Sequence, residues 1–381
     1  MSESRLVERM RGFGTTIFAE MSALALTTGS VNLGQGFPDT DGPPEILEAA
    51  VAAIRGGVNQ YPPGPGVPEL RHAIAAHQAR RYALDYDPDA EVFVTAGATE
   101  AIAATIMALA GPGDEVVLFE PYYDSYAACV ALAGATRRTV TLQRDGTGWG
   151  FDPDELRAAV NERTKLIVLN TPHNPTGKVF TPAELQLIAE LAQERDLVVV
   201  ADEVYEHLVF DGRTHVPIAT LPGMRERTVT ISSAGKTFSV TGWKIGWLCA
   251  PPHLVAAVRT VKQFLTYVNG APFQPAVAQV LPHAEKLAPA AELQAQRDLL
   301  CAGLAELGHD VVVPQATYFA TVDVGGDAVA FCRELPRTKR VVAIPSSVFY
   351  DTRAGDRYVR FAFCKQPAVL AEALRRLGRS A

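Results

Sequence analysis

Short apolar, largely β-branched runs alternate with longer segments of helical period between residues 92 and 250. Such alternation is typical of a mostly parallel sheet, whose strands are covered by helices on both faces. It predicts strands at Val92–Thr95, Glu115–Phe119, Lys165–Asn170, Leu197–Ala201, Thr228–Ile231 and Trp247–Ala250. It predicts helices at Thr99–Leu109, Tyr123–Ala133, Pro153–Asn161, Thr181–Glu194 and Pro252–Val268. We therefore expect an α/β fold.

The sequence on either side of this region differs from it in composition and in the pattern of apolar residues. Gly and Pro are dense in Gly34–Pro44 and Tyr61–Pro68, which predicts ordered loops. Near the end, short strands are expected at Val311–Val313, Tyr318–Val322 and Tyr358–Phe363, between helical patterns at Leu287–Gly303 and Ala368–Leu377. This part resembles a smaller α+β domain.

Composition excludes several classes of protein. The 381 residues, 48% of them hydrophobic, suffice for two or three packed domains. The net charge of −7, with no basic block, argues against nucleic-acid binding. No apolar run approaches the ~20 residues of a membrane span, and no apolar signal segment stands at the N-terminus, so we expect a cytoplasmic protein. Five cysteines without a C-x-x-C pair predict neither a disulfide framework nor a metal site.

Polar side chains follow three of the predicted strands. Asn174 lies in a proline-rich turn after one strand, Asp202 follows the next, and Lys236 the third, with Lys244 eight residues later. Taken alone, each has an ordinary structural role as a turn residue, a helix cap or a solvated charge. Ligands of open α/β sheets, however, bind beyond the carboxyl ends of strands. Their order therefore predicts a site for a pyridine ring that carries a phosphate.

The chemistry of such a ring requires these residue types. A lysine amine such as Lys236 can form a Schiff base with an aldehyde cofactor. A carboxylate such as Asp202 would keep the ring nitrogen protonated, so that the ring can absorb electrons. Asn174 and Tyr205 would bind the ring hydroxyl.

The phosphate needs backbone N–H groups at a helix N-terminus, together with a hydroxyl and a cation. Ala98 and Thr99 stand between a predicted strand and helix and can supply the N–H groups. Ser233 and Lys244 can supply the hydroxyl and the cation.

These segments resemble the class I aminotransferases, which are pyridoxal-phosphate enzymes of fold type I. The resemblance rests on Gly34-Gln35-Gly36-Phe37-Pro38-Asp39, Asn174-Pro175-Thr176-Gly177, Asp202-Glu203-Val204-Tyr205 and Ser233-x-x-Lys236 with Gly242-x-Lys244. It covers residues 12 to 378. Within the family the chain is most similar to the branch of kynurenine, glutamine and methionine aminotransferases and of actinobacterial N-succinyldiaminopimelate aminotransferases.

The resemblance implies an aspartate aminotransferase-like fold. A large pyridoxal-phosphate domain, residues 41–281, would contain a mostly parallel seven-stranded sheet. A small domain would combine the N-terminal segment, residues 1–40, with residues 282–381. Length alone therefore overcounts the domains.

The resemblance also implies roles for individual residues. Lys236 would form the internal aldimine and move the proton from the substrate Cα, while Asp202 would pair with the pyridinium and Tyr123 would stack on the ring. The substrate would be bound by a second group of residues: Arg360 at its α-carboxylate, Gly36, Asn174 and Phe18, with Tyr267 from the partner subunit. Tyr61 would reach the phosphate of the neighbouring subunit, which implies a homodimer with shared active sites.

Two features differ from the kynurenine members. Thr99 stands where those members tend to carry an aromatic residue, and Tyr267-Val268 stands where they carry an aromatic residue followed by histidine. The chain keeps a resemblance to the actinobacterial branch at residues 57–66 and 267–275. We therefore expect transfer of an amino group, from glutamate, to the succinylated 2-oxo acid of lysine biosynthesis.

Other functions are weaker matches. Ser233-Ala234-Gly235-Lys236 fits the S-x-x-K motif of penicillin-recognising acyl transferases, but S-D-N and K-T-G are absent. Gly235-Lys236-Thr237 imitates the end of a Walker A loop, yet Thr230 stands in place of its first glycine. The alternatives left open are a kynurenine, glutamine or methionine aminotransferase with cysteine-conjugate β-lyase side activity, and a non-catalytic binding or regulatory protein.

Overall fold

The computed structural model describes residues 5–13, 17–146 and 148–379. The helices are α1 (Ile17–Thr28), α2 (Pro44–Arg55), α3 (Pro68–Tyr82), α4 (Gly97–Leu109), α5 (Asp124–Ala133), α6 (Pro153–Ala159), α7 (Pro182–Glu194), α8 (Ala234–Thr237), α9 (Pro252–Lys262), α10 (Phe273–Val280), α11 (Ala284–Leu287), α12 (Ala290–Glu306), α13 (Ala328–Thr338) and α14 (Pro367–Leu377). The strands are β1 (Val31–Asn32), β2 (Val92–Ala96), β3 (Glu115–Glu120), β4 (Thr136–Thr141), β5 (Gln143–Asp145), β6 (Gly148–Gly150), β7 (Thr164–Asn170), β8 (Val198–Asp202), β9 (Thr228–Ser233), β10 (Ile245–Cys249), β11 (Asp310–Val312), β12 (Phe319–Asp323), β13 (Val341–Val342), β14 (Ile344–Pro345) and β15 (Tyr358–Ala362).

A seven-stranded sheet in the order β2-β10-β9-β8-β7-β3-β4 forms the centre of the fold. All neighbours are parallel except β10, which is antiparallel to both β2 and β9. The six predicted strands are confirmed, and the seventh is β4 at the edge. Its Thr-Arg-Arg-Thr sequence alternates exposed with half-buried side chains, so it lacks the apolar run by which the others were found.

The strand side chains alternate between two helical layers. Val116 and Leu118 of β3 pack with α4, α5 and α9 on one face, whereas Val117 and Phe119 pack with α6 and α7 on the other. That second face also packs against α2, α3 and α10 near β2 and β10. The strands are apolar throughout because both of their faces are covered.

A second, antiparallel sheet in the order β11-β12-β15-β14 lies in the C-terminal part. The chain start joins it, since β1 pairs in parallel with β13, and Met21 and Leu33 share one apolar core with α12, α13 and α14. The predicted strands here correspond to β11, β12 and β15. The assignment of residues 1–40, 41–281 and 282–381 to two domains stays a prediction.

Two helix predictions need correction and one was confirmed in detail. The helix expected over Pro252–Val268 ends at Lys262, and turns follow it over residues 263–266. Further along, the Thr266 N–H binds the Glu100 carboxylate and Tyr267 has a left-handed φ of +63°. The helix expected from Leu287 begins at Ala290, directly after Pro289. The helix expected over Thr181–Glu194 is confirmed as α7, with Thr181 as its N-cap residue and Glu184 completing a capping box.

Among the described residues, five helices of eight or more residues had no counterpart among the expectations, namely α1, α2, α3, α10 and α13. Both α2 and α3 start on the last proline of a stretch predicted to be a loop, where a proline fits the first turn. Helix α13 contains Pro336, which interrupts the usual helical pattern. Among the described residues, no helix is both long and apolar enough to cross a membrane.

Candidate active site

The predicted polar side chains meet at the carboxyl ends of three adjacent strands. Asn170 ends β7, Asp202 ends β8 and Ser233 ends β9, and these strands are neighbours in the sheet. They open into a cavity of about 350 Å³. Twelve residues expected from the sequence line it: Phe18, Gly36, Ala98, Thr99, Tyr123, Asn174, Asp202, Tyr205, Ser233, Lys236, Lys244 and Arg360.

Asp202 is a buried carboxylate with two uncharged hydrogen-bond donors. The Tyr126 hydroxyl donates to Oδ2 at 2.6 Å and the Val204 N–H donates to Oδ1 at 3.3 Å. Asn170 fixes the backbone by donating from Nδ2 to the Asp202 carbonyl at 2.8 Å. Burial raises the pKa of Asp202, while these donors and the nearby Lys236 oppose the rise. A cationic partner in the cavity would therefore stabilise this carboxylate.

Lys236 reaches the cavity from the one-turn helix α8, which follows β9 without a linker. Its Nζ lies 2.6 Å from the Tyr318 hydroxyl oxygen and 5.7 Å from the centre of the Tyr205 ring. Burial lowers the pKa of the amine to about 8. About a tenth of the amine is then neutral at pH 7, far more than for an exposed lysine, and the neutral form is the one that acts as a nucleophile or proton acceptor.

The N-terminus of α4 forms a positively polarised corner of the cavity. Gly97 has φ +72°, and an added Cβ would lie 3.0 Å from Lys244 Nζ. On β10, a Cβ at Gly246 would lie 2.4 Å from the Gly97 carbonyl carbon, so the strand and the helix touch through backbone alone. Lys244 Nζ is 3.5 Å from Thr99 Oγ1. The N–H groups of a helix start, a hydroxyl and an ammonium group together suit a phosphate.

Arg360 projects from β15 of the second sheet into the same cavity. Its Nη1 donates to Asn174 Oδ1 at 3.2 Å and its Nη2 to the Gly34 carbonyl at 3.0 Å, whereas Nε has no partner among the described residues. The guanidinium lies 4.0 Å from the centre of the Phe319 ring. Burial lowers its pKa to about 10, so the group remains a cation with spare donors.

Two predicted site residues lie outside the cavity of their own chain. Tyr61 is 82% exposed and Tyr267 is 55% exposed. Their rings contact each other edge to face, with centroids 5.6 Å apart. Both had been expected to act from a partner subunit, and that expectation stays a prediction.

Several residues of the site were not anticipated from the sequence. Tyr126 binds Asp202, Asn170 holds both the Asp202 carbonyl and the Asn174 N–H, and Tyr318 contacts Lys236. Tyr126 follows Tyr123 by one helical turn, so its position beside the strand ends could have been found from spacing. Tyr318 directly precedes β12 and lies some 80 residues after Lys236 in the chain, and no local sequence pattern indicates its contact with the lysine.

A second polar cluster lies behind the sheet. His77, Glu206 and His207 are buried, and their ligand-type atoms lie within 4.8 Å of one another. The Glu206 carboxylate already accepts hydrogen bonds from Tyr82 and Ser232, both at 2.6 Å. The Glu206 carboxylate is thus well provided with donors, whereas His77 Nε2 and both ring nitrogens of His207 have no hydrogen-bond partner among the described residues.

The sheet, the lysine at a strand end and the opposing arginine define a transaminase of the aspartate aminotransferase-like fold. The chain belongs to the family described as aminotransferase class I and II, which it matches over residues 28–377. The α/β class, the seven-stranded sheet and the enzyme class expected from the sequence are thereby confirmed.

Relatives cover nearly the whole chain. A probable N-succinyldiaminopimelate aminotransferase of Mycobacterium tuberculosis is 55% identical over 97% of both chains. The solved structure of the N-succinyldiaminopimelate aminotransferase of that organism superimposes with a TM-score of 0.95, covering 98% of this chain and 99% of that one. The methionine aminotransferase of Escherichia coli is 40% identical, with 96% of this chain and 95% of that one covered. Mouse kynurenine–oxoglutarate transaminase 3 is 39% identical, with 95% and 87% covered.

Proposed function

We propose that the cavity holds pyridoxal 5′-phosphate. Three observations of the described residues support the fit: a buried carboxylate, Asp202, whose hydrogen-bond donors are both uncharged; a buried amine, Lys236; and the helix start with Lys244 beside it. Asp202 would pair with the ring nitrogen, Tyr205 and Asn174 would bind the ring hydroxyl, and Tyr123 would cover the ring face. Ala98, Thr99, Ser233 and Lys244 would hold the phosphate.

When bound, this group supplies an aldehyde carbon for the amino nitrogen and a ring that takes up the electron pair left at Cα. The protein supplies the remaining requirements. The Lys236 amine, with a pKa of about 8, can accept the Cα proton and return it to a second position. Asp202 stabilises positive charge on the ring side. Arg360 has an unpartnered Nε and can bind the substrate α-carboxylate as a planar fork, which fixes the Cα beside Lys236.

We propose that the donor is glutamate and that the acceptor is the succinylated 2-oxo acid whose amination gives N-succinyldiaminopimelate. The observation that carries this is the 55% identity, over 97% of the chain, to the Mycobacterium tuberculosis protein of that name. The two substrates would occupy one site in turn, so the kinetics would be ping-pong.

The cofactor proposal is tested with Lys236→Ala. We expect the variant to lose turnover and the absorption band that wild-type protein shows with pyridoxal phosphate, because no other cavity amine adjoins Asp202 in the described residues. Lys286 is exposed, so Lys286→Ala is the matched control and should behave as wild type. Normal transamination by Lys236→Ala would contradict the proposal.

The acceptor is tested by comparing kcat/KM for the succinylated 2-oxo acid with values for the 2-oxo acids of methionine, glutamine and kynurenine. We expect a preference of at least about 100-fold for the succinylated compound, the size of a few kcal/mol of extra contacts. Equal or better use of the others would favour the second candidate, a methionine or kynurenine aminotransferase, which the relatives at 40% and 39% identity support. Release of pyruvate from a cysteine conjugate would measure β-lyase activity in the same samples.

We also propose a homodimer with shared active sites. Tyr61 and Phe264 are each 82% exposed, Leu265 and Tyr267 are also exposed, and the rings of Tyr61 and Tyr267 are in contact. Large apolar side chains exposed together mark an interaction surface. A second copy covering this face would bring Tyr61 and Tyr267 to the partner's cofactor and substrate.

Mixing two inactive variants tests this arrangement. Lys236→Ala and Tyr61→Ala subunits are unfolded, refolded together and assayed. If sites are shared, the mixed dimer regains activity, because one of its two sites has both side chains intact. A fully active monomer in sedimentation, or no recovery on mixing, would contradict it.

A further inference from the structure

The Tyr318 hydroxyl lies between Lys236 and the loop that precedes residue 40. Lys236 Nζ is 2.6 Å from the hydroxyl oxygen, and that oxygen is 2.7 Å from the Gly36 carbonyl oxygen. Tyr318 is only 1% exposed, so water does not compete for these contacts. Neither the expectations from the sequence nor the proposed mechanism gives this residue a role.

The direction of both hydrogen bonds follows from the groups present. A carbonyl oxygen can only accept, so the single hydroxyl proton of Tyr318 is donated to Gly36. The hydroxyl must therefore accept a hydrogen bond from the Lys236 amine. An amine that donates one N–H in this direction directs its remaining hydrogens and its lone pair elsewhere, and the cavity is the open side.

The tyrosine is held firmly in this position. Its ring packs edge to face on Tyr205 at 5.3 Å and on Phe319 at 4.7 Å between centroids. Gly36 is fixed as well, because a Cβ there would lie 2.4 Å from the Phe319 ring. Burial raises the pKa of Tyr318 well above its usual value, so the phenol stays neutral and does not act as a base.

We propose that Tyr318 is a positioning residue for Lys236: it holds the free amine in one orientation and couples that orientation to the Gly36 loop. The inference rests on the proposed function, in which Lys236 must exchange between a bound and a free state. Since the Gly34 carbonyl also binds Arg360, the same loop connects the amine to the group proposed to bind the substrate carboxylate.

The charge state of Lys236 provides a readout. The groups that face the amine are Asp202, Cys364, Lys244 and Arg360, with the Tyr205 ring beside it, and burial is the main cause that lowers its pKa to about 8. A neutral oxygen acceptor stabilises an ammonium more than an amine. Removing the acceptor should therefore lower the pKa of Lys236 further.

The test uses Tyr318→Phe, with Tyr86→Phe as a control that removes a hydroxyl from a different apolar core. Cofactor-free protein is acetylated briefly with acetic anhydride over a pH series, and modification of the Lys236 peptide is measured by mass spectrometry. We expect the apparent pKa of Lys236 to fall by about one pH unit in Tyr318→Phe and to stay unchanged in Tyr86→Phe. Identical titration of Lys236 in both variants would overturn the inference.

The reconstituted proteins give a second readout. At saturating cofactor, Tyr318→Phe should lose about tenfold in kcat, with the pH profile shifted in parallel with the amine. An unshifted profile would overturn the positioning role. Because the acetylation series needs no cofactor, it is independent of the proposed function, which fails separately if wild-type protein does not bind pyridoxal phosphate through Lys236.

A second variant tests the same inference if Tyr318→Phe does not fold. If Tyr318→Phe does not fold by circular dichroism, 3-fluorotyrosine is incorporated at position 318. It keeps the hydroxyl but weakens its oxygen as an acceptor, so a smaller downward shift of the Lys236 pKa is expected. No shift in that protein would again overturn the inference.

Discussion

Asp202 and Arg360 are buried charged groups with an incomplete set of hydrogen-bond and ion-pair partners among the described residues. Asp202 receives hydrogen bonds only from uncharged donors, and Arg360 keeps one guanidinium nitrogen free among the described residues. A buried charge without a full set of partners costs several kcal/mol, which a bound ligand of opposite charge recovers. At the scale of single residues, the site is arranged for ligands that bring a cation to Asp202 and an anion to Arg360.

Tyr126→Phe should weaken cofactor binding. The variant removes the 2.6 Å hydrogen bond to Asp202 Oδ2, so the carboxylate is held less firmly and its pKa rises. We expect the Kd for pyridoxal phosphate to increase by about tenfold, which corresponds to one hydrogen bond to a charged group. The change is measured by absorbance titration of cofactor-free protein.

Tyr122→Phe is the matched control. It removes a similar hydrogen bond, from Tyr122 to Asp351 Oδ1 at 2.7 Å, outside the cavity. Its Kd should equal that of wild type, although its stability falls. Equal Kd values for Tyr126→Phe and wild type would show that Asp202 does not depend on this donor.

At the scale of elements, the contact between α4 and β10 decides the shape of the phosphate corner. Gly246 allows the strand to meet the helix start without any side chain between them. The corner also depends on Lys244, whose backbone is left-handed with φ +54° and whose side chain lies against Gly97. The helix start is thus fixed in position by the strand before any ligand binds.

Gly246→Ala should separate the start of α4 from β10. The new Cβ would lie 2.4 Å from the Gly97 carbonyl carbon, so the helix start must shift. We expect the Kd for pyridoxal phosphate to rise by more than tenfold and stability to fall by about 1–3 kcal/mol, as for other overpacked sites. Gly242→Ala, where an added Cβ meets nothing within 4 Å, should leave both unchanged. Wild-type affinity in Gly246→Ala would contradict the close fit.

At the scale of the whole molecule, the buried histidines make stability depend on pH. Burial lowers the pKa of His207 to about 4 and that of His173 to about 3. Both pKa values lie below the value of about 6.5 expected in the unfolded chain. Between pH 6.5 and these values the unfolded chain binds more protons than the folded one, so stability falls as the pH falls.

His207→Gln should reduce this pH dependence. Urea unfolding at pH 7 and pH 5 should show the variant losing about 1–2 kcal/mol less than wild type over that interval, since one titrating group is removed. His253→Gln, at an exposed position, should retain the wild-type difference. An unchanged difference in His207→Gln would mean that this histidine is not neutral in the folded protein.

The strand order explains how far the site could be predicted. The apolar runs before Asn170, Asp202 and Ser233 identified β7, β8 and β9, and consecutive parallel strands of this kind are commonly neighbours. Local chemistry was therefore enough to bring Asp202, Asn174 and Lys236 together. The role of Arg360 was predicted only from the resemblance, because β15 belongs to another sheet and no local sequence pattern places this residue at the cavity.

Local sequence patterns were sufficient to predict six of the seven strands of the central sheet, helix α7 and the residue types at the strand ends. These depend on apolar periodicity and short-range hydrogen bonds, which neighbouring residues carry. The contacts of Tyr126 with Asp202, of Gly246 with Gly97, and of Tyr318 with Lys236 and Gly36 form only when the whole chain has folded. Those contacts join segments from about 76 to 282 residues apart for the hydrogen-bonded pairs, and their geometry is fixed by packing of the whole chain.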